Sequence, residues 1–179
     1  MTCIVGVVAP DGVWMGGDSA AISGWDLTRA ADPKVFTNGD YLIGYTTSFR
    51  MGQLLRFADL PKPLDRAGDE LLGFLVTEFV NAVRTVLKDG GFAKKDSEVE
   101  SGGTFLVAVN GRLFEVYSDY QVHESRDDYA AVGSGAQVAS GSLHATPRLG
   151  PRKRIERALT AAAHHSAGVH GPFTIVRSG

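Results

Sequence analysis

The chain has 179 residues, 44% hydrophobic and 21% charged, with a formal net charge of −2, a balance that fits a single globular domain over residues 1–179 and gives no electrostatic preference for nucleic acid or an anionic membrane. No apolar run approaches the roughly 20 residues of a membrane-spanning helix, and the N-terminus lacks a basic stretch followed by an apolar core, so the expectation is a cytoplasmic protein. Its one cysteine, Cys3, excludes an internal disulfide and reads as a small buried hydrophobe.

Thr2 to Ala9, a turn at Pro10-Asp11-Gly12 and Val13 to Ala21 predict a β-hairpin, with Thr2 at the start of its first strand and Asp18 well along its second. A looser stretch through Ser23-Gly24 follows. Lys34 to Thr37, Asn38-Gly39-Asp40 and Tyr41 to Tyr45 predict a second hairpin, because Asn-Gly readily supplies positive φ. Ser48 suits the N-cap of a short helix ended by Pro61-Lys62-Pro63. Between Asp69 and Lys88, Leu72, Val76, Phe79, Val80, Val83 and Leu87 recur at helical spacing and read as a core-facing stripe. Asp96 to Gly103 reads as a loop, and Thr104 to Val109 with Arg112 to Tyr117 as a third hairpin around Asn110-Gly111. A polar stretch leads through Ala130-Ala131-Val132 to Gly133-Ser134-Gly135 and a small-residue helix from Gln137 to His144. A last helix from Pro151 to about His165 and a strand from Phe173 to Val176 complete the chain. The order suggests an α+β fold of two antiparallel sheets covered by helices.

The residue types at three evenly spaced positions, Thr2, Asp18 and Lys34, suit nucleophilic chemistry. A threonine hydroxyl becomes a competent nucleophile when a base takes its proton, and an N-terminal threonine offers its own α-amine. That amine has an unperturbed pKa of about 7.7–8.0 and is partly neutral at physiological pH. A nearby Lys34 would lower it further, and Asp18 would keep Lys34 charged and oriented. On spacing alone, an ordinary Asp18–Lys34 ion pair beside a plain strand start remains the alternative. Gly133 and Gly135 do not make a dinucleotide loop, since Val138 stands where the third glycine belongs. His164, His165 and His170 lack a carboxylate or cysteine to complete a metal set. Arg148, Arg152, Lys153, Arg154 and Arg157 read as a solvated face, with a docking patch for an acidic partner as the alternative.

Thr2-Cys3-Ile4-Val5-Gly6-Val7, Gly16-Gly17-Asp18-Ser19, Lys34-Val35, Leu42-Ile43-Gly44, Ala131-Val132-Gly133-Ser134-Gly135 and Phe173-Thr174-Ile175-Val176, in this order and at these separations, resemble the proteasome β-type subunits, especially the bacterial HslV-like N-terminal-nucleophile hydrolases. The resemblance spans nearly the whole chain. It implies a four-layer αββα sandwich and a threonine endopeptidase whose nucleophile is Thr2 after removal of Met1. Asp18, Lys34 and Ser134 would support Thr2, with the backbone N–H of Ser48 facing the developing oxyanion. The family usually has glycine at Ser48, so Thr46-Thr47-Ser48-Phe49-Arg50 is a bulkier, more polar turn. Ala21, Asp32, Thr46 and Arg50 would line the specificity pocket; for Ser134, a simple helix cap is the alternative. Ser166 and Val169 stand where catalytic proteasome subunits usually carry aspartate and serine.

The resemblance implies no required cofactor; some relatives hold a structural monovalent or divalent cation on backbone carbonyls, here near Ala163, Ser166 and Val169. It further implies homo-oligomeric stacked rings, unfolded polypeptide substrates and a separate ATP-dependent unfoldase, because this chain has no P-loop. Two other functions compete with the peptidase: a catalytically silent ring or scaffold component, and a small-molecule amidase of the same superfamily.

Overall fold

The computed structural model describes residues 1–96 and 99–179. β1 (Cys3–Ala9) and β2 (Gly12–Gly17) form the first hairpin, and β12 (Tyr129–Gly133) and β13 (Thr174–Arg177) flank it in the order β12-β1-β2-β13. The second sheet runs β11-β10-β9-β6-β5, from β5 (Val35–Asn38), β6 (Tyr41–Tyr45), β9 (Phe105–Val109), β10 (Arg112–Val116) and β11 (Val122–Glu124). All pairings in both sheets are antiparallel.

Period-two alternation explains how the layers stack. Cys3, Val5 and Val7 of β1 pack against α4 (Ala136–Ala145) and α5 (Pro151–His165), while Ile4 turns inward. Ile4, Val13, Met15, Val35, Leu42, Leu106 and Ala108 fill the space between the sheets. Tyr41, Ile43, Tyr45, Phe105, Val107 and Val109 face outward onto α1 (Phe49–Arg56), α2 (Gly68–Phe74) and α3 (Val80–Asp89). Three apolar layers thus separate four layers of backbone, giving the expected αββα sandwich. The sheets approach closely at Gly44, where an added Cβ would lie 2.5 Å from Ile4 Cγ2 and 2.6 Å from Met15 Sδ.

Several elements differ from the sequence reading. The stretch expected to be loose pairs as an isolated hairpin, β3 (Ala20–Ser23) with β4 (Asp26–Arg29). The loop expected over Asp96 to Gly103 is flanked by β7 (Lys94–Asp96) and β8 (Val99–Ser101); residues 97 and 98 lie outside the described residues. Asp18 lies one residue beyond β2 rather than within the strand. The long helical stripe is interrupted by a π-helical turn, Leu75–Phe79, between α2 and α3. The wider turn rotates the register: Leu71, Phe74 and Leu75 are buried, whereas Val76, expected in the core, is 46% exposed.

Candidate active site

One end of the sandwich gathers the strand termini that carry the chemistry-bearing side chains. Thr2 immediately precedes β1, Asp18 follows β2, Lys34 precedes β5, and Ser134 follows β12. Backbone pairing fixes these positions beyond the strands: Asp18 N–H donates to Cys3 O at 3.3 Å, and Tyr45 N–H donates to Lys34 O at 3.0 Å. Thr2, Asp18 and Lys34 are all buried.

The Lys34 ammonium has three protons and finds three acceptors: Thr2 Oγ1 at 3.0 Å, and Asp18 Oδ1 and Oδ2 at 3.1 Å each. Asp18 also accepts Cys3 N–H at 3.0 Å and Ala20 N–H at 2.9 Å, so its carboxylate is locked to the backbone on both sides. Burial pulls Lys34 below the ordinary lysine range, and the charge and hydrogen bonds of Asp18 oppose that pull without cancelling it. The Phe49 ring lies 5.6 Å from Lys34 Nζ. Cys3 is fully buried, and burial, reinforced by the Asp18 charge, pushes its thiol up to about 12. It therefore stays an inert thiol at neutral pH.

Ser134 Oγ accepts Thr2 N–H at 3.2 Å and donates to Thr2 O at 3.3 Å, bracketing the Thr2 backbone. Its approach depends on Gly133, whose φ of 98° favours glycine and where an added Cβ would lie 2.2 Å from Thr2 O. The N-terminal methionine completes this region. Thr2 Oγ1 donates to Met1 O at 2.5 Å, and Met1 lies across Gly168, where an added Cβ would meet Met1 Cβ at 2.2 Å. With Met1 attached, the Thr2 nitrogen is an amide.

Sequence reasoning placed the oxyanion donor at Ser48, and the turn is built differently. Ser48 N–H donates to Thr46 O at 2.6 Å across Thr47, whose φ is 63°. Ser48 N–H is therefore already engaged, and Ser48 Oγ caps α1 by accepting Arg50 N–H at 3.1 Å. Thr47 is an exposed residue, and its N–H, like that of Phe49, is a backbone donor of this turn that finds no acceptor among the described residues. A hydroxyl chain holds it: Thr46 Oγ1 donates to Thr104 O at 2.7 Å, Thr47 Oγ1 lies 3.2 Å from Thr46 Oγ1, and Thr104 N–H donates to Thr47 Oγ1 at 3.2 Å. Since the Thr46 proton goes to Thr104, Thr47 is the donor between the two hydroxyls. Only the Thr-Thr pair itself hinted at this arrangement.

The four residues expected to form one specificity pocket divide. Asp32 and Arg50 border a cleft with Gln53, Leu54 and Phe57, whereas Thr46 is buried against Thr104 and Gly133 and Ala21 belongs to the β3–β4 hairpin. Asp32 accepts Gln53 Nε2 at 3.1 Å and lies 3.7 Å from Arg56, and Arg50 donates through Nε and Nη2 to Gly90 O at the negative end of the α3 dipole. Ser166 is the C-cap of α5, with its carbonyl accepting Val169 N–H at 3.1 Å, and Val169 is fully buried in the core. Among the described residues no group of three or more His, Cys, Asp or Glu side chains could hold a metal ion, and no helix is long and apolar enough to cross a membrane.

The sequence matches no protein-family model and no curated protein. Solved structures do match over nearly the full length. BPH from Thiobacillus denitrificans is 21% identical, with 99% of each chain covered and a TM-score of 0.79, and has also been solved in complex with epoxomicin. Eukaryotic HslV from Trypanosoma brucei is 18% identical, with 98% of each chain covered and a TM-score of 0.68. Anbu from Yersinia bercovieri is 13% identical over 98% of this chain and 80% of its own, with a TM-score of 0.68. The αββα sandwich of this chain is thus the HslV-like proteasome β-type fold.

Proposed function

We propose that the chain is a threonine peptidase that hydrolyses peptide bonds of unfolded polypeptides once Met1 has been removed. The observation that carries this reading is the Lys34 ammonium, 3.0 Å from Thr2 Oγ1 and held there by both oxygens of Asp18. In the proposed reaction the freed Thr2 amine takes the hydroxyl proton, and Oγ1 attacks the scissile carbonyl. The amine returns the proton to the departing peptide nitrogen, and water then hydrolyses the Thr2 ester. The positive charge of Lys34 would disfavour the protonated amine and so keep it a base near neutral pH. Ser134 Oγ would hold the amine, and Thr47 N–H, rather than Ser48 N–H, would donate to the oxyanion, a type of contact commonly worth about 10²–10³ in rate. Asp32 and Arg50 would border the substrate side chains. Copies of the chain would stack in rings, fed by an ATP-driven unfoldase supplied as a separate protein. A structural cation would sit on the carbonyls of Ala163, Ser166 and Val169.

Epoxomicin, the ligand of the BPH neighbour, suits the test. Its epoxyketone can accept a hydroxyl at the ketone and an amine at the epoxide, and Thr2→Ala keeps the α-amine while removing the hydroxyl, so a label lost in that variant is assigned to the Thr2 hydroxyl. The expected result is labelling of the wild type and none of Thr2→Ala. A chain that has lost Met1 by intact mass and still takes no label would overturn the proposal.

The second reading, a catalytically silent ring or scaffold component, is favoured by the Thr2 Oγ1–H donated to Met1 O and by the seating of Met1 on Gly168. A chain purified from its native host with Met1 still attached would select it.

A further inference from the structure

We infer that the β3–β4 hairpin is a finger that holds an unfolded polypeptide beside the site, with Trp25 and Leu27 as its apolar contact; this rests on the peptidase reading above. The hairpin belongs to neither main sheet, and every residue of β4 is exposed. Trp25 at its tip is fully exposed at 103%, and Leu27 is 48% exposed. The turn is Gly24-Trp25, with Gly24 at a φ of 58°, which suits a tight two-residue connection and presents the indole outward. Leu27 pairs directly across from Ile22, so the apolar surface continues from the tip down one face of the finger.

An isolated two-stranded hairpin is marginal in water, and this one is anchored at its base by the candidate active site. Ala20 N–H donates to Asp18 Oδ2 at 2.9 Å, Ala30 N–H to Ser19 O at 3.1 Å and Ser19 N–H to His170 O at 3.0 Å. The outgoing strand leaves directly after Asp18, and the returning strand leads to Lys34. The finger is thus continuous in the chain with the residues around Thr2, and a substrate held along it would run from the apolar tip toward its base at Asp18. The hairpin carries one aspartate, Asp26, and one arginine, Arg29. Its contact is electrically neutral and selects apolar content over charge. A large aromatic at the centre of a small contact is the kind of residue that dominates binding.

The test uses the Thr2→Ala chain, which binds without cutting, and the oxidised insulin B chain, a polypeptide without tryptophan. Titration should change the tryptophan emission saturably, and Trp25→Phe, which leaves Trp14 as the remaining indole, should abolish the change. Trp25→Ser with Leu27→Ser should weaken binding of a dye-labelled B chain about tenfold. In the active chain the same pair should lower the ratio of kcat/KM on the B chain to that on a fluorogenic tripeptide by a similar factor. Unaltered affinity in the serine variant overturns the inference. So does a change in particle mass by light scattering, which would assign Trp25 to contact with a second copy of the chain. Hydrolysis of neither substrate by a chain free of Met1 would count against the peptidase reading alone, since the binding titration does not depend on cleavage.

Discussion

Replacing Asp18 with asparagine should be among the most destabilising single changes in the molecule. The carboxylate accepts four hydrogen bonds, from Cys3 N–H, from Ala20 N–H and two from Lys34. Asparagine keeps the shape but turns an NH₂ group toward one set of these donors, and it removes the charge that compensates a buried ammonium. Breaking a buried pair from one side costs about 3–5 kcal/mol. In a chain of this size each kcal/mol lowers Tm by about 2–4 °C, so Asp18→Asn should lose about 6–20 °C. Lys34→Met should cost less, because Asp18 keeps its two backbone donors. The double variant should be more stable than the sum of the singles implies, with a coupling of at least about 1.5 kcal/mol. Urea unfolding at one fixed protomer concentration measures all four corners of the cycle. Two results would refute the reasoning: Asp18→Asn within about 0.5 kcal/mol of wild type, as for an ordinary surface change, or singles that simply add.

Gly133→Ala should abolish epoxomicin labelling and lower Tm, because its Cβ would lie 2.2 Å from Thr2 O at a φ of 98°; labelling at the wild-type rate would contradict the geometry. Ser134→Ala removes one donor–acceptor pair from Thr2 and should slow labelling about tenfold while costing less than about 1.5 kcal/mol in urea unfolding. Burial pushes the Cys3 thiol from 9.0, the value of a free thiol, up to about 12, so the folded form keeps its proton longer. Its contribution is fully present below pH 9 and is lost as pH rises toward 12, by about 1.4 kcal/mol at pH 10; Cys3→Ala should lack this loss when urea curves at pH 8 and pH 10 are compared. Thr47→Val keeps a branched side chain at positive φ but forfeits the hydroxyl bonds, costing about 1–3 kcal/mol, whereas Thr47→Gly also relieves backbone strain and should stay within about 1 kcal/mol of wild type. Equal urea midpoints for the valine and glycine forms would show that the hydroxyl does not hold the turn.

Alternation and turn chemistry made the sandwich legible: Pro10-Asp11-Gly12, Asn38-Gly39 and Asn110-Gly111 mark three hairpins that form where expected. The π-helical turn was not legible, because Leu72 and Val76 fit a regular helical stripe as well as Leu71 and Leu75 do. Packing of the whole helix against the second sheet chose between the registers. The β3–β4 hairpin was missed because Ala-Ala-Ile-Ser and Asp-Leu-Thr-Arg show little alternation, and its pairing is held from the base by Asp18. Thr2, Asp18, Lys34 and Ser134 could be picked out because each directly abuts a recognisable strand. The engagement of Ser48 N–H with Thr46 O was not legible either, since which N–H a turn leaves open depends on dihedral angles. Thr47 adopts a backbone conformation that residue type alone would assign to glycine.

The hydrogen-bond inventory also limits what the site can do in its present form. Lys34 donates all three protons, two of them to Asp18, and the ion pair favours its charged form, so Lys34 offers no lone pair to the Thr2 hydroxyl. The remaining nitrogen beside the hydroxyl is that of Thr2, and as an amide it donates to Ser134 Oγ and cannot accept a proton. The hydroxyl proton itself is committed to Met1 O. Cleavage of the Met1–Thr2 bond would therefore change two things together: it would turn an amide into an amine already placed at Ser134, and it would remove the carbonyl that holds the hydroxyl proton. Neither change requires Asp18, Lys34 or Ser134 to move, so under the proposed mechanism the side chains around Thr2 would already be in place before the base exists.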